Sequence, residues 1–270
     1  MANPEILSVR IADSIAVVTL GSAKRVFFDQ EMSQALLDAL TELAANDAVR
    51  AIVVTGGAPG YFIRHYSVAE LIRMGEQVQA SARKWPEDQP YTAGVFDRAM
   101  TLCETMAKPV IAAISGSCAG GGFEFTLACD IRIAEDGDYL IGLPEINAGI
   151  LPGGGGTQRL PRTIGMPAAL MHILMGQTIS PTEAERRGLV HEAVKGKALD
   201  RALEIAKRLA TFTPESVAAI KRLVRGALTT PLPQGLALER NLFMQLCSGD
   251  PALERMRAYE NSRAQEEHRR

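Results

Sequence analysis

The stretch Lys108-Pro109-Val110-Ile111-Ala112-Ala113-Ile114-Ser115-Gly116-Ser117-Cys118-Ala119-Gly120-Gly121-Gly122-Phe123-Glu124 decides the fold. Pro109 to Ile114 is an unbroken apolar run, the pattern of a strand covered on both faces. Three glycines follow and lead into an apolar helix predicted from about Gly121 to Ala128. Strand, glycine loop and helix in that order point to an α/β core. The loop has no GxGxxG spacing and no Lys-Ser/Thr after it, so it is neither a dinucleotide fingerprint nor a P-loop. Bare backbone N–H groups in such a loop can face an anionic oxygen. A tight turn that merely lets helix and strand approach closely is the plainer alternative.

Upstream, Ile6 to Ile11 and Ser14 to Leu20 read as short strands, and Val49 to Thr55 as a β-branched strand ending at Gly56-Gly57. From Asp29 to Leu43 the spacing is helical: Met32, Leu36, Leu40 and Leu43 share one side and Asp29 can cap. Helices are also predicted over Ser67 to about Val78 and Ala93 to Met106, with the polar, Pro-bracketed loop Trp85 to Pro90 between them. Downstream, Asp130 to Ala134 and Tyr139 to Ile141 read as short strands. From Thr157 onward helical patterns dominate. Ser180-Pro181, Thr213-Pro214 and Asp250-Pro251 each place a capping residue before a proline. Strands alternating with helices, followed by helices alone, predict an α/β core with a helical C-terminal layer.

The 270 residues carry a net charge of −2, which excludes a global basic field for nucleic acid or a membrane surface. No apolar run approaches the ~20 residues of a membrane helix. Met1-Ala2-Asn3-Pro4-Glu5 has neither a basic nor an apolar segment of the kind a signal peptide needs. The four cysteines, 103, 118, 129 and 247, form no CxxC, and the four histidines form no ligand pair. Reduced thiols in a cytoplasmic protein are expected, with no metal framework.

Two glutamates stand out against apolar neighbours. Glu124 follows the glycine run in the first turn of its helix, where a carboxylate can simply complement the helix dipole. If buried, it must pair or shift its pKa upward. Glu145 lies in Leu143-Pro144-Glu145-Ile146, where a surface capping role is an equal alternative. Two carboxyls can divide the work of base and acid. The loop Pro152 to Gly156 is too glycine-rich for a strand interior and can bring backbone close to a ligand. Tyr61 to Tyr66 precedes the helix starting at Ser67, whose N-terminal amides are a second source of donors.

Together these phrases resemble the crotonase, or enoyl-CoA hydratase/isomerase, superfamily. The likeness covers nearly the whole chain. It is strongest from Pro109 to Leu160, including Ala119-Gly120-Gly121-Gly122-Phe123-Glu124, Pro144-Glu145-Ile146 and Pro152-Gly153-Gly154-Gly155-Gly156-Thr157-Gln158-Arg159-Leu160. It implies a crotonase-like spiral of ββα units over residues 1–195. A C-terminal helical region over 196–270 would serve trimerisation and cover the active site. The partner it implies is an acyl-CoA thioester, bound by a homotrimer or homohexamer, with coenzyme A as part of the substrate and no metal or redox cofactor. By alignment the thioester oxygen is met by the amides of Gly121 and Tyr66, and Glu124 and Glu145 are the two hydratase carboxylates, base toward water and proton donor to the α carbon. Isomerases of the family typically keep only the second. Lys24, Arg25, Ile63, His65, Gly120, Pro144 and Gly153 are the expected substrate-binding positions, Lys24 and Arg25 toward phosphates.

Two departures from the family pattern bear on the site. Val26-Phe27-Phe28-Asp29 replaces the usual Asn-Ala-Leu-Asn, and Ile63-Arg64-His65-Tyr66-Ser67 replaces a phrase with glycine at position 65. The loop's φ/ψ options narrow there, and the Tyr66 hydroxyl becomes a further candidate for substrate contact. The segment Gly75 to Gly94 is long and is expected to shape the acyl pocket. The favoured expectation is hydration of a trans-2-enoyl-CoA. Other reactions of the superfamily (double-bond isomerisation, hydratase–lyase cleavage, thioester hydrolysis) and a non-catalytic acyl-CoA-binding role are the alternatives.

Overall fold

The computed structural model describes residues 5–81 and 84–267, with side chains to residue 261. The reading of Met1 to Pro4 therefore lies outside the described residues. In chain order the elements are β1 (Leu7–Ala12), β2 (Ile15–Leu20), β3 (Phe27–Phe28), α1 (Gln30–Ala45), β4 (Ala51–Gly56), β5 (Gly60–Ile63), β6 (His65–Tyr66), α2 (Val68–Ala80), α3 (Val95–Thr105), β7 (Val110–Ile114), β8 (Gly116–Ala119) and α4 (Gly121–Ala128). Then follow β9 (Ile131–Glu135), β10 (Ile141–Gly142), a 3₁₀ turn (Glu145–Ala148), α5 (Gly156–Ile164), α6 (Met166–Leu174), β11 (Thr178–Ile179), α7 (Pro181–Arg186), β12 (Glu192–Val194), α8 (Ala198–Ala210), α9 (Pro214–Gly226), α10 (Leu232–Cys247) and α11 (Asp250–Glu267).

Six strands form the large sheet in the order β1-β2-β4-β7-β9-β12, parallel except for the β1–β2 hairpin. Asp13 and Ser14 turn that hairpin with positive φ at both positions. A second sheet, β11-β10-β8-β5, lies beyond it. The chain passes from β4 to β5 and from β7 to β8, leaving the large sheet for the small one each time. At Gly116, with φ of +147°, a Cβ would lie 2.2 Å from the Gly60 carbonyl carbon, so only glycine permits this crossing. The α helix after each strand pair completes the expected ββα units, of unequal length and so invisible as a sequence period.

Alternate residues of the central strands serve opposite layers. Ile52, Val54, Val110, Ala112 and Ile114 join the core beneath α1, α3 and α4. Ala51, Val53, Ile111 and Ala113 meet Ala198, Ala202 and Ala206 of α8. Both faces of the sheet are thus covered, as the unbroken apolar run required. The division expected after residue 195 falls just before α8, and this helix packs on the sheet as part of the core's second layer. β11 and β12, in a region read as helical, are two and three residues long. Their pairing partners are distant in sequence, and such short strands leave no periodicity to read.

Candidate active site

α4 is buried along all eight residues, with Glu124 as its one charged side chain. An apolar helix of this kind belongs inside a core, and it carries Glu124 in with it at 3% exposure. The carboxylate accepts a hydrogen bond from the Gly156 amide at 2.8 Å. A Cβ on Gly154 would come within 2.7 Å of its second oxygen. Burial raises the Glu124 pKa to about 7. The amides of Gly156 and Gly154 and the charge of Arg159 oppose this, while the charge of Glu145 adds to it.

Glu145 opens the 3₁₀ turn behind Pro144, and Gly149 closes that turn with φ of +73°. Both of its carboxyl oxygens are buried, and neither receives a hydrogen bond from another described residue. Burial raises its pKa as well. A Cβ on Gly120 would stand 3.2 Å from Glu145 Oε1 and 3.5 Å from the His65 Cβ. With φ of +52°, Gly120 holds a conformation that favours glycine, and a Cβ there would press on the Glu145 carboxyl. The next glycine meets the loop before α2: a Cβ on Gly121 would lie 3.2 Å from the Tyr66 amide nitrogen. The structure thus gathers Glu124, Glu145, Gly120, Gly121, His65 and Tyr66 in one place.

A sequence model of the family described as enoyl-CoA hydratase/isomerase matches residues 10–267. The chain belongs to this family. It is 33% identical over 254 residues to the putative enoyl-CoA hydratase/isomerase YngF of Bacillus subtilis, covering 93% of each chain. It is 31% identical over 248 residues to a short-chain-enoyl-CoA hydratase of Clostridium acetobutylicum, covering 91% of this chain and 90% of the relative. The crystal structure of an enoyl-CoA hydratase from Bacillus anthracis superposes with a TM-score of 0.83 at 30% identity, over 95% of this chain and 96% of the other.

Several of the expected substrate-binding residues make contacts within the chain. Arg25 is turned onto Asp29 and Glu31, the latter at 2.9 Å, so its charge is committed at the start of α1 rather than offered to a phosphate. Lys24, beside it, is exposed. Ile63 is fully buried, and a Cβ on Gly122 would lie 2.1 Å from its carbonyl oxygen. It supports the glycine run from below instead of lining a ligand cleft. Gly153 is exposed and approaches no side chain; the glycines that reach the site are Gly154 and Gly156. The Tyr66 phenol lies beside Glu70 and Ser33, and burial and the Glu70 charge raise its pKa. Its hydroxyl is thus engaged away from the carboxyl pair.

Two residues of the site were not foreseen. Arg159 donates to the Gly154 carbonyl at 2.9 Å and grips Glu104 through two bonds of 2.8 and 2.9 Å. It ties the glycine loop to α3. Phe96 packs edge-on to Tyr66 at 5.7 Å, and its ring would lie 2.9 Å from a Cβ on Gly154. The Arg after a glycine run was a signal for the first. Nothing local marked Phe96.

Proposed function

We propose that this protein hydrates a trans-2-enoyl-CoA to the 3-hydroxyacyl-CoA. The observation that carries the reading is the pairing of two desolvated carboxyls, Glu124 and Glu145, around the Gly120-Gly121 run. The name of the Clostridium acetobutylicum relative supports it. In this reading the amides of Gly121 and Tyr66 donate to the thioester oxygen. Ionised Glu124 takes a proton from water as its oxygen bonds to the β carbon, and the electron pair of the double bond moves onto the thioester as an enolate. Protonated Glu145 then delivers a proton to the α carbon, and solvent returns a proton from Glu124 to Glu145. A pKa of about 7 suits Glu124 to this work, because an effective base titrates near the working pH. Each donor to the developing oxyanion is worth roughly 3 kcal/mol.

Lys24 remains the candidate for a coenzyme A phosphate. No metal or redox group enters the steps. Met166, Leu170, Leu174, Leu232, Leu236 and Phe243 are each more than half exposed on α6 and α10. Apolar area of that kind marks interfaces and supports a homotrimer or homohexamer. No helix among the described residues is long and apolar enough to cross a membrane, and a cytoplasmic setting is part of the proposal. The deciding experiment follows enoyl absorbance with crotonyl-CoA and a longer or aromatic enoyl-CoA, with product masses. Gain of one water is expected. A shifted double bond without added water would replace hydration by isomerisation.

A further inference from the structure

We propose that His65 is a positioning residue that aims the Tyr66 amide into the site; this rests on the reading of that amide as a donor to the thioester oxygen. His65 Nδ1 lies 2.7 Å from the Tyr66 carbonyl oxygen. A carbonyl can only accept, so Nδ1 carries the hydrogen and donates it. The ring this bond closes runs through the His65 side chain, ψ of His65, φ of Tyr66 and ψ of Tyr66. The first two of those backbone torsions set the direction of the Tyr66 N–H. One imidazole bond therefore restrains the rotations that would swing the donor away.

The rest of the loop holds the imidazole in place. Phe27, the cross-strand partner of His65, lies parallel to it at 8° with ring centres 6.3 Å apart. Arg64 donates to the Val26 carbonyl and Ser67 to the Phe28 carbonyl, each at 2.6 Å. Tyr66 is thus fixed from both sides while facing Gly121. On the other flank the His65 Cβ abuts Gly120, next to Glu145. At the position where the family phrase has glycine, this chain spends a side-chain hydrogen bond to hold one backbone conformation. The bond supplies rigidity where glycine would leave freedom.

The test uses the full-length protein and a conjugated dienoyl- or cinnamoyl-CoA, whose absorbance moves to longer wavelength when its carbonyl is polarised. His65→Ala should bind the probe with KM-type affinity within about 2-fold, lose most of the red shift and lower kcat by ~10- to 100-fold, since one oxyanion donor governs about that range or more. Asparagine places its amide nitrogen as many bonds from Cα as Nδ1, so His65→Asn should restore shift and kcat, while His65→Gln should not. Thermal unfolding of each variant separates misfolding from misalignment, and the asparagine variant alone decides the matter if alanine unfolds. A wild-type red shift retained in His65→Ala overturns the proposal. So does equal loss in all three variants. If the wild type shifts the probe but adds no water to any enoyl-CoA, hydration falls and the positioning role stands. Absence of a wild-type shift overturns the positioning role and leaves hydration to the water-addition assay.

Discussion

Glu124 and Glu145 flank the same glycine run but meet opposite surroundings. Glu124 is carried inward on a fully buried helix and is gripped by the Gly156 amide, with Gly154 and Arg159 close by. Glu145 stands on a one-turn 3₁₀ segment, with its oxygens shielded but claimed by no other described residue. Burial raises both pKa values, so desolvation alone does not separate their roles. The difference lies in what stabilises the charged form. Backbone donors and an arginine stand ready for ionised Glu124, whereas Glu145 has little besides its own amide. Glu124 is thus held in a fixed orientation by backbone donors, as a base toward water requires, whereas both oxygens of Glu145 are left without a partner among the other described residues and can turn toward a substrate carbon.

The strongest way to break this comparison is to neutralise each carboxyl in turn. Glu124→Gln and Glu145→Gln should each lower hydration by ~10²- to 10⁴-fold, the usual worth of a positioned acid or base. Acyl-CoA binding should change little. Single-turnover assays with titrated product-CoA affinity provide the check. Hydration unchanged in either variant would remove that residue from the chemistry. Exchange of the α-proton of the product analogue should fail mainly in Glu145→Gln, since Glu145 faces that carbon in the proposed order of steps.

A smaller effect concerns stability. The folded pKa of Glu124, about 7, lies above its ordinary 4.5. The fold therefore favours the protonated form: the associated stability is complete below pH 4.5 and is lost as pH rises through 7. A glutamine is neutral throughout. Glu124→Gln should consequently match the wild type in acid and exceed it above pH 7, by about 3 kcal/mol for a displacement of this size. Chemical denaturation at pH 4.5 and pH 8 measures both limits. An equal difference at the two pH values would show that the carboxyl is not desolvated as described.

How much of this was legible in the sequence follows from the range of each contact. Glu124, Glu145 and the glycine run announced themselves because each is polar or glycine against apolar neighbours, a local contrast. The cap at Asp29, which accepts from Met32 N at 2.8 Å, is local too. Arg159's grip on Glu104 spans 55 residues and leaves no local mark. Arg25 looked free because its acceptors, four and six residues on, belong to the next helix and meet it only through the turn between. Gly153 and Gly154 are indistinguishable in a run of four glycines; only the path of the loop decides which one faces Glu124.

The smallest effect we expect is the most discriminating, because it tests the surroundings of Glu124 without deleting Glu124. Arg159 lowers the pKa of this carboxyl and Glu145 raises it. Arg159→Met removes a nearby positive charge and also frees the Gly154 carbonyl it holds, slackening the loop that supplies the Glu124 amide bond. Both consequences disfavour the carboxylate, so the Glu124 titration should move above 7. Glu145→Gln removes a negative neighbour and should move it below. Infrared titration of the protonated carboxyl band, with Glu124→Gln identifying the band, follows both without relying on turnover. Opposite displacements would establish that the two glutamates differ through the charges and amides around them. No displacement in either variant would leave burial as the sole cause, and displacement in the same direction would show that these two charges do not act on Glu124 as described.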